Sequence, residues 1–373
     1  MPTLVISDLH LGAASGTDVL GRPEVREPLL EAVAEADRLV ILGDGLELRD
    51  RPQRDAVTVA GELYGQLGGA LGPDGELVMV AGNHDHGLVS GWLDGRLVTG
   101  PADFLGLEQY FDPTQAGPLA AALAERAAPA RVRMAYPGLW LREDVYALHG
   151  HYGDLHSTVP TFERLAAGAM ARFVAQLPGE GATPDDYVAV LAPIYAWMHA
   201  LTQRREQTTA SAGAQASARA WVALAGSNRG IRSLPALAMN GGYAAGVMAL
   251  NAIGIGPLDR RLSGDALRRG GLHAIREALR RLGVDAAHVI WGHSHRPGPL
   301  PADDPSEWRS ASGATLHNTG SWVFQPHFVA GRGAGSPYWP GTALLVEESG
   351  PPRLLRLLAD HSAPALSPRP PQG

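Results

Sequence analysis

The sequence predicts an α/β fold, because short apolar runs alternate with helical patterns through the first part of the chain. Five runs of four or five residues are rich in Val, Ile and Leu, as buried strands are. They cover residues 3–6, 39–42, 77–81, 145–148 and 288–291. Helical patterns at 27–36 and 56–67 separate the first three runs, which is the strand–helix–strand order of a sheet with parallel strands.

A long helical segment interrupts this order before the fifth apolar run. The helices predicted there cover residues 160–177, 185–202, 209–226 and 233–258. We therefore predict a core domain formed by residues 1–157 and 266–359, with a helical insertion at 158–265. The Pro-rich residues 360–373 are predicted to form a disordered tail.

Composition excludes several kinds of protein. The chain has 373 residues, 45% of them hydrophobic, which is typical of a folded core and not of a disordered chain. It contains no Cys, so disulfides, thiolate metal sites and Cys nucleophiles are excluded. All 31 basic residues are Arg, which leaves no lysine for a Schiff base or a P-loop. The net charge of −7 predicts no nucleic-acid binding beyond a nucleotide substrate.

Metal-ligating side chains follow each of the five apolar runs. They are Asp8, His10, Asp44, Asn83, His149, His293 and His295. Because ligands collect at the carboxyl ends of strands in α/β sheets, we expect these side chains to lie close together. His, Asp and Asn without thiolates suit Mn²⁺, Fe²⁺, Zn²⁺ or Ni²⁺.

Seven ligands are too many for one ion and suit two. Two divalent metals roughly 3.5–4 Å apart can clamp a phosphoryl oxygen and activate a bridging water for in-line attack. One carboxylate must then bridge the two ions, and Asp44 is the best placed in the sequence.

The motifs that carry these residues resemble those of the calcineurin-like metallophosphoesterases. They are Asp8-Leu9-His10, Gly43-Asp44, Gly82-Asn83-His84-Asp85, His149-Gly150-His151 and Gly292-His293-Ser294-His295. The resemblance implies a four-layer α/β/β/α sandwich around two metals. One metal would be held by Asp8, His10, Asp44 and His295. The other would be held by Asp44, Asn83, His149 and His293.

The same resemblance implies roles for His84 and Asp85 and identifies one turn. His84 would contact the substrate phosphate and protonate the leaving group, and Asp85 would orient His84. The segment Asn318-Thr319-Gly320-Ser321 is similar to the family's Asn-Pro-Gly-Ser turn, with Thr in place of Pro. Arg296, which follows the last motif, is either a ligand for the substrate phosphate or a solvated side chain.

The predicted function is therefore hydrolysis of phosphomonoesters or phosphodiesters at a dinuclear metal centre, in which a metal-bridging hydroxide attacks phosphorus and His84 is the general acid. Two alternatives remain open. The second motif continues as Gly43-Asp44-Gly45-Leu46-Glu47, and its final Glu resembles the UDP-diacylglucosamine pyrophosphatase branch, which acts on a nucleotide-linked lipid. That branch, however, has Arg where this chain has His84. The second alternative is a non-catalytic scaffold that keeps the phosphoesterase fold.

Other residues near the motifs or in the insertion are assigned to structural roles. We expect His86 and His151 to form hydrogen bonds beside the metal ligands. The aromatic residues Trp197, Trp221 and Tyr243 are expected to belong to the core, with a binding surface as the alternative.

The insertion carries an unusual distribution of charge. Residues 204–281 contain twelve Arg and four acidic residues, while 233–258 contain no charge at all. The uncharged stretch predicts a buried helical pair, an apolar lid for a lipid-like substrate or membrane surface, or a membrane span. The chain starts without a secretory leader, so we expect a cytoplasmic protein, with peripheral membrane contact through the insertion as a further prediction.

Overall fold

The computed structural model describes residues 1–49, 52–98, 104–203, 245–259, 264–329 and 331–368. The strands are β1 (Thr3–Ile6), β2 (Arg38–Leu42), β3 (Glu76–Val80), β4 (Glu108–Phe111), β5 (Arg131–Arg142), β6 (Val145–Leu148), β7 (His288–Trp291), β8 (Thr315–Asn318), β9 (Thr342–Val346) and β10 (Arg353–Arg356). The helices are α1 (Glu27–Ala34), α2 (Gln53–Leu71), α3 (Ser90–Val98), α4 (Pro113–Ala116), α5 (Pro118–Arg126), α6 (Phe162–Phe173), α7 (Pro184–Gln203), α8 (Gly264–Leu282), α9 (Pro326–Val329) and α10 (Ala363–Leu366). Residues 245–252 are also helical.

All these strands belong to one mixed sheet of ten strands. Its order is β10-β9-β1-β2-β3-β5-β6-β7-β8, with β4 paired to β5. The neighbours β1, β2 and β3 run parallel and are joined through α1 and α2, as the alternation in the sequence predicts. The predicted α/β class is therefore confirmed.

The long strand β5 joins the part of the sheet that contains β1, β2 and β3 to the part that contains β6, β7 and β8. Its first residues pair in parallel with β3, and its last residues pair in antiparallel fashion with β6. A single apolar cluster takes side chains from both parts, including Val5, Val40 and Val78 on one side of β5 and Ala147 and Ile290 on the other. Burial of this cluster excludes water and holds the strand ends of both parts in fixed positions.

The chain divides into two compact units whose boundaries differ from the predicted ones. The first unit contains the sheet and comprises the described residues of Met1–His151, Tyr195–Glu206 and Asp285–Gly373. The second comprises those of Tyr152–Ile194 and Gln207–Val284, and it therefore includes α8. The second unit therefore extends beyond the predicted insertion, 158–265, at both ends. The last part of α7, from Tyr195, belongs to the first unit instead.

The predicted disordered tail is partly ordered. Leu366 on α10 is fully buried, and the Arg22 guanidinium donates to the carbonyl oxygens of Ala365, Leu366 and Ser367 at 2.8–2.9 Å. One buried apolar side chain and three hydrogen bonds explain why this segment is held. Residues 369–373 lie outside the described part of the chain.

The uncharged stretch of the insertion is largely exposed where the structure describes it. Met248 and Ile253 are more than half exposed, although Val247, Ile255 and Leu258 are buried. The prediction of a buried helical pair does not hold for residues 245–254, because most of their side chains face solvent. None of the described helices is long and apolar enough to cross a membrane.

The aromatic residues assigned to the core follow a similar pattern. Trp197 is 57% exposed, so its assignment to the core is wrong. Trp221 and Tyr243 lie outside the described residues, as do residues 209–226 and 233–244.

Candidate metal centre

The seven predicted ligands converge at the carboxyl ends of β1, β2, β3, β6 and β7. Six of them, together with His84, form three overlapping groups whose candidate ligand atoms lie within 4.8 Å of one another. The groups are Asp8, His10 and His295; His10, Asp44 and His84; and Asp44, His149 and His293. Asn83 joins the third group, since its side-chain oxygen lies 3.2 Å from His149 Nε2. Asp44 and His10 each belong to two groups, so the cluster is continuous.

The backbone of the cluster is strained. Among the described residues, the only non-glycine positions with positive φ are Asp8 (54°), His10 (46°), Asp44 (52°), His293 (64°) and His295 (58°). Each such conformation costs roughly 1–2 kcal/mol for an L-residue, and strain of this kind concentrates at functional sites. All five residues are predicted ligands, so the strain marks this edge of the sheet as the functional one.

Two glycines let the strand ends approach each other. A Cβ on Gly82 would overlap the Asp44 carboxylate, and a Cβ on Gly292 would overlap the side chains of Ser7 and Asp8. Any larger residue would therefore push one ligand away from another. The Gly that precedes Asn83 and His293 in their motifs is explained by this close packing.

The group around Asp8 contains atoms suited to one cation. His295 Nε2 lies 3.3 Å from Asp8 Oδ1 and 3.1 Å from His10 Nε2. The His293 backbone N–H donates to both Asp8 carboxylate oxygens, at 3.1 and 2.9 Å, which fixes the direction of that carboxylate. Asp44 Oδ2 lies 3.8 Å from His10 Nε2 and closes the group.

The group around Asn83 contains acceptor atoms that face one another. The side-chain oxygen lies 3.1 Å from Asp44 Oδ2 and 3.2 Å from both His149 Nε2 and His293 Nδ1. His149 Nδ1 lies 2.9 Å from the Leu42 carbonyl oxygen, to which it donates, and this turns the Nε2 lone pair toward the group. With the amide oxygen turned inward, these acceptors form a set that a divalent cation would stabilise. The residues present therefore fit a metal.

Charges within the cluster are strongly coupled. Burial alone would raise the pKa of the Asp44 carboxyl, but the imidazoles of His149, His84 and His10 outweigh burial and hold that pKa well below its usual value. Burial also opposes a charge on His149, yet the Asp44 carboxylate raises the pKa of His149 to about 10. The centre thus attracts positive charge, and a metal ion bound here competes with protons for the imidazoles.

Glu47 connects a predicted ligand with the predicted acid. Its Oε2 lies 3.1 Å from His10 Nδ1 and 2.7 Å from His84 Nδ1, and the side chain is buried. Both imidazoles donate to this oxygen, so His10 directs the lone pair of Nε2 toward Asp44 and His295. From the sequence, Glu47 was identified only as a departure in the second motif. The signal that was missed is an acidic residue three positions after Asp44, in the same loop.

Asp85 does not orient His84 as the sequence led us to predict. Its carboxylate instead accepts backbone N–H groups of Gly82 and Gly45, each at 2.7 Å. These bonds join the loops after β2 and β3 and hold the strained turn at Asp44. The contact that orients the His84 ring comes from Glu47, because the Asp85 carboxylate is already directed toward the backbone.

Arg296 is not placed to bind a substrate phosphate. Its two terminal nitrogens donate to the Asp303 carboxylate at 2.9 and 2.6 Å, and its guanidinium lies 5.7 Å from the centre of the Trp308 ring. This fork-to-fork pair occupies the donors that a phosphate would need. The assignment of Arg296 to substrate binding is therefore corrected to a structural role.

The remaining residues near the motifs support the centre. Asn318 donates from Nδ2 to the Gly292 carbonyl oxygen at 2.8 Å, which fixes the loop that carries His293 and His295. His86 and His151 are buried, and both rings pack near Tyr195, with ring centres 5.4 and 5.8 Å from it.

Comparison with known proteins gives one family match. The model of the calcineurin-like phosphoesterase family matches residues 1–195. Among solved structures, a dimetal phosphatase from Danio rerio is 12% identical, with 96% of this chain and 99% of that chain covered. Its TM-score of 0.32 is too low to support an inference about this chain. No curated protein sequence matches.

We predict that Asp44→Asn abolishes turnover and lowers the metal content. The amide carries no charge and cannot bridge two cations as a carboxylate does. Metal analysis by mass spectrometry and a phosphate-release assay measure both effects. Asp37→Asn, at the opposite end of β2 and exposed, is the matched control. Near wild-type activity with two ions bound in Asp44→Asn would contradict the bridging role.

Glu47→Gln should weaken metal binding or turnover by about 10- to 100-fold. Glu47 Oε1 accepts the Arg49 backbone N–H at 2.9 Å while Oε2 accepts from two imidazoles, so an amide nitrogen in either position faces a donor. Chelator competition gives the metal affinity, and initial rates give kcat. The exposed Glu35→Gln is the control. Unchanged metal affinity together with unchanged kcat in Glu47→Gln would refute the positioning role.

Proposed function

Because the chain belongs to the calcineurin-like phosphoesterase family, whose members are metal-dependent phosphoester hydrolases, we propose that it cleaves phosphomonoesters or phosphodiesters at a centre of two divalent cations. The observation that supports this most is the convergence of the candidate ligand side chains, with Asp44 Oδ2 3.8 Å from His10 Nε2 and 3.2 Å from His149 Nε2. A binding scaffold would have no need for five strained ligand positions.

We assign one cation to Asp8, His10, Asp44 and His295 and the other to Asp44, Asn83, His149 and His293. When bound, two such cations neutralise charge on the phosphoryl oxygens and activate a water nucleophile. The metal ligands are imidazoles, carboxylates and one amide. These ligand types fit Mn²⁺, Fe²⁺, Zn²⁺ or Ni²⁺ and do not distinguish one of these ions from another.

His84 is proposed as the acid that protonates the leaving-group oxygen. Its side chain is 24% exposed, more than Asp44 or Glu47, so its ring reaches the accessible side of the centre. Glu47, at 2.7 Å from Nδ1, would stabilise the imidazolium. At present the other nitrogen, Nε2, accepts from Arg49 Nη1 at 3.2 Å, so Arg49 has to turn away before Nε2 can carry a proton to the substrate.

We predict that His84→Ala retains its metals and loses rate most on substrates with poor leaving groups. General acid catalysis typically contributes about 10²–10⁴-fold, and a leaving group of low pKa needs it least. Rates on nitrophenyl and alkyl phosphates, with metal analysis of each sample, test this. His273→Ala, an exposed histidine of the second unit, is the control. An equal loss on both substrates would argue against the acid role.

A second candidate function is hydrolysis of a lipid-like phosphate, including a nucleotide-linked lipid, at a membrane surface. The observation that favours it is a set of exposed apolar side chains in the second unit: Phe162, Phe173, Val174, Met248 and Ile253. Arg172 places its guanidinium 5.5 Å from the centre of the Phe173 ring and donates to the Ile253 carbonyl oxygen at 3.3 Å. The Arg172 guanidinium beside exposed apolar side chains suits the surface of an anionic membrane. Peripheral contact with the cytoplasmic face of a membrane would use such a surface.

A phosphate-release screen with added Mn²⁺ tests the proposed function and separates the candidates. Its substrates are monoesters, diesters, nucleotides and lipid phosphates, and co-sedimentation with anionic vesicles at low and high salt accompanies it. Faster release from lipid phosphates and salt-sensitive pelleting would favour the second candidate. Turnover of soluble esters without pelleting would favour the first. No release from any substrate by the fully metal-loaded protein would leave the scaffold alternative.

A further inference from the structure

Thr319 stands where the family's turn has Pro, and the proposed function gives it no role. Its side chain is fully buried, as is that of Asp8, and Ser7 is 1% exposed. The Ser7 hydroxyl donates to Asp8 Oδ2, and the same oxygen of Ser7 lies 2.6 Å from the Thr319 hydroxyl. Buried polar groups from two distant parts of the chain are thus joined in one line. We call the hydroxyls of Ser7 and Thr319 the hydroxyl pair.

The direction of these hydrogen bonds follows from the number of protons available. Ser7 has one hydroxyl proton and gives it to the Asp8 carboxylate, which only accepts. The Thr319 hydroxyl therefore donates to Ser7 Oγ. Its other acceptor, the Trp291 carbonyl oxygen, is farther away at 3.3 Å and already accepts the Thr319 backbone N–H at 3.0 Å. The donors thus run from Thr319 through Ser7 to Asp8.

The hydroxyl pair gives the two carboxylate oxygens of Asp8 different tasks. Oδ2 accepts the Ser7 hydroxyl and the His293 backbone N–H, whose nitrogen is 2.9 Å away. Oδ1, which is 3.1 Å from the same nitrogen, faces the His295 imidazole with Nε2 at 3.3 Å. A carboxylate that is held by hydrogen bonds on one oxygen presents the other in a defined direction. Oδ1 is therefore the oxygen that Asp8 offers to a cation.

The hydroxyl pair is closely packed. A Cβ on Gly292 would overlap both Ser7 Oγ and Asp8 Oδ2. On the other side of the pair, the Thr319 carbonyl oxygen accepts the Thr342 hydroxyl at 2.5 Å. Because these groups are buried, the loss of one hydroxyl leaves its partner without a replacement from solvent.

A proline at position 319 could make neither of the bonds that Thr319 donates. Proline has no hydroxyl and no backbone N–H, whereas Thr319 uses its hydroxyl toward Ser7 and its N–H toward Trp291. The position at which this chain departs from the family's turn is thus the one whose side chain connects to a predicted metal ligand.

We propose that Thr319 is a positioning residue of the metal centre: its hydroxyl orients Ser7, and Ser7 holds Asp8 so that Oδ1 faces one cation. This inference rests on the proposed function, because Asp8 is assigned there to a cation. Thr319 acts on metal affinity through Ser7 and touches neither the substrate nor the reacting atoms. Its effect falls on one of the two cations, since Asp8 is assigned to one only.

Titration of the metal-free full chain with Mn²⁺, measured by calorimetry, tests the proposal without turnover. Ser7→Ala should weaken the binding of one Mn²⁺ ion by roughly 10- to 100-fold. Thr319→Val has the same shape without the hydroxyl and should weaken the same step by about 3- to 10-fold, as expected for one hydrogen bond. Thr319→Ser keeps the hydroxyl and should bind Mn²⁺ as wild type does.

The double variant Ser7→Ala/Thr319→Val separates an effect through Ser7 from a general loosening of the turn. Because Thr319 acts through Ser7, its substitution should add nothing once the Ser7 hydroxyl is gone. Thr342→Val is the matched control, since it removes a buried hydroxyl that donates to the Thr319 carbonyl oxygen and not to Ser7. It should leave the Mn²⁺ affinities unchanged. If Thr319→Val does not fold, Thr319→Ala removes the same hydroxyl and takes its place.

Three results would overturn the proposal. They are wild-type Mn²⁺ affinities in Thr319→Val, additive losses in the double variant, and a loss in Thr342→Val as large as that in Thr319→Val.

The inference and the proposed function fail differently. Mn²⁺ binding that depends on Thr319, in a protein that releases phosphate from no ester, would refute the proposed hydrolysis and leave the inference intact. Ester hydrolysis by a protein whose Mn²⁺ affinities are indifferent to Thr319 would do the reverse. A wild-type chain that binds no Mn²⁺ would refute both.

Discussion

The carboxylate of Asp44 is the constraint on which the rest of the centre depends. It is almost fully buried, and its Oδ1 accepts the His84 backbone N–H at 2.8 Å while Oδ2 lies 3.2 Å from His149 Nε2. A buried carboxylate is tolerated only where positive charge or donors surround it. Histidines from four strand ends provide that surrounding, and the strained turn at φ 52° holds the carboxylate among them.

Asp85 and Glu47 divide the work of holding this arrangement. Asp85 binds the backbone on both sides of Asp44, so it stabilises the turn. One Glu47 oxygen accepts hydrogen bonds from the His10 and His84 rings. It therefore orients both the predicted metal ligand His10 and the proposed acid His84. Asp85 and Glu47 both form hydrogen bonds to groups that lie next to the Asp44 carboxylate. A substitution of either acid should therefore affect metal binding and catalysis together.

That the candidate ligands lie together was predictable from sequence, because residues at the carboxyl ends of strands in an α/β sheet meet at one edge of that sheet. The roles of Asp85 and Arg296 were not. A side chain's direction depends on which donors or acceptors lie closest, and local partners, the Gly45 N–H and the Asp303 carboxylate, determined both. The return of Tyr195 and Thr202 to the first unit was equally hidden, since helical periodicity identifies a face and does not identify what that face contacts.

The central claim is that the strand ends hold two divalent cations that share Asp44. The most direct measurement is a crystal structure of the Mn²⁺-loaded protein with anomalous scattering data. The account predicts two anomalous peaks per chain roughly 3.5–4 Å apart, with Asp44 bound to both. A single peak, or two peaks of which only one contacts Asp44, would contradict it.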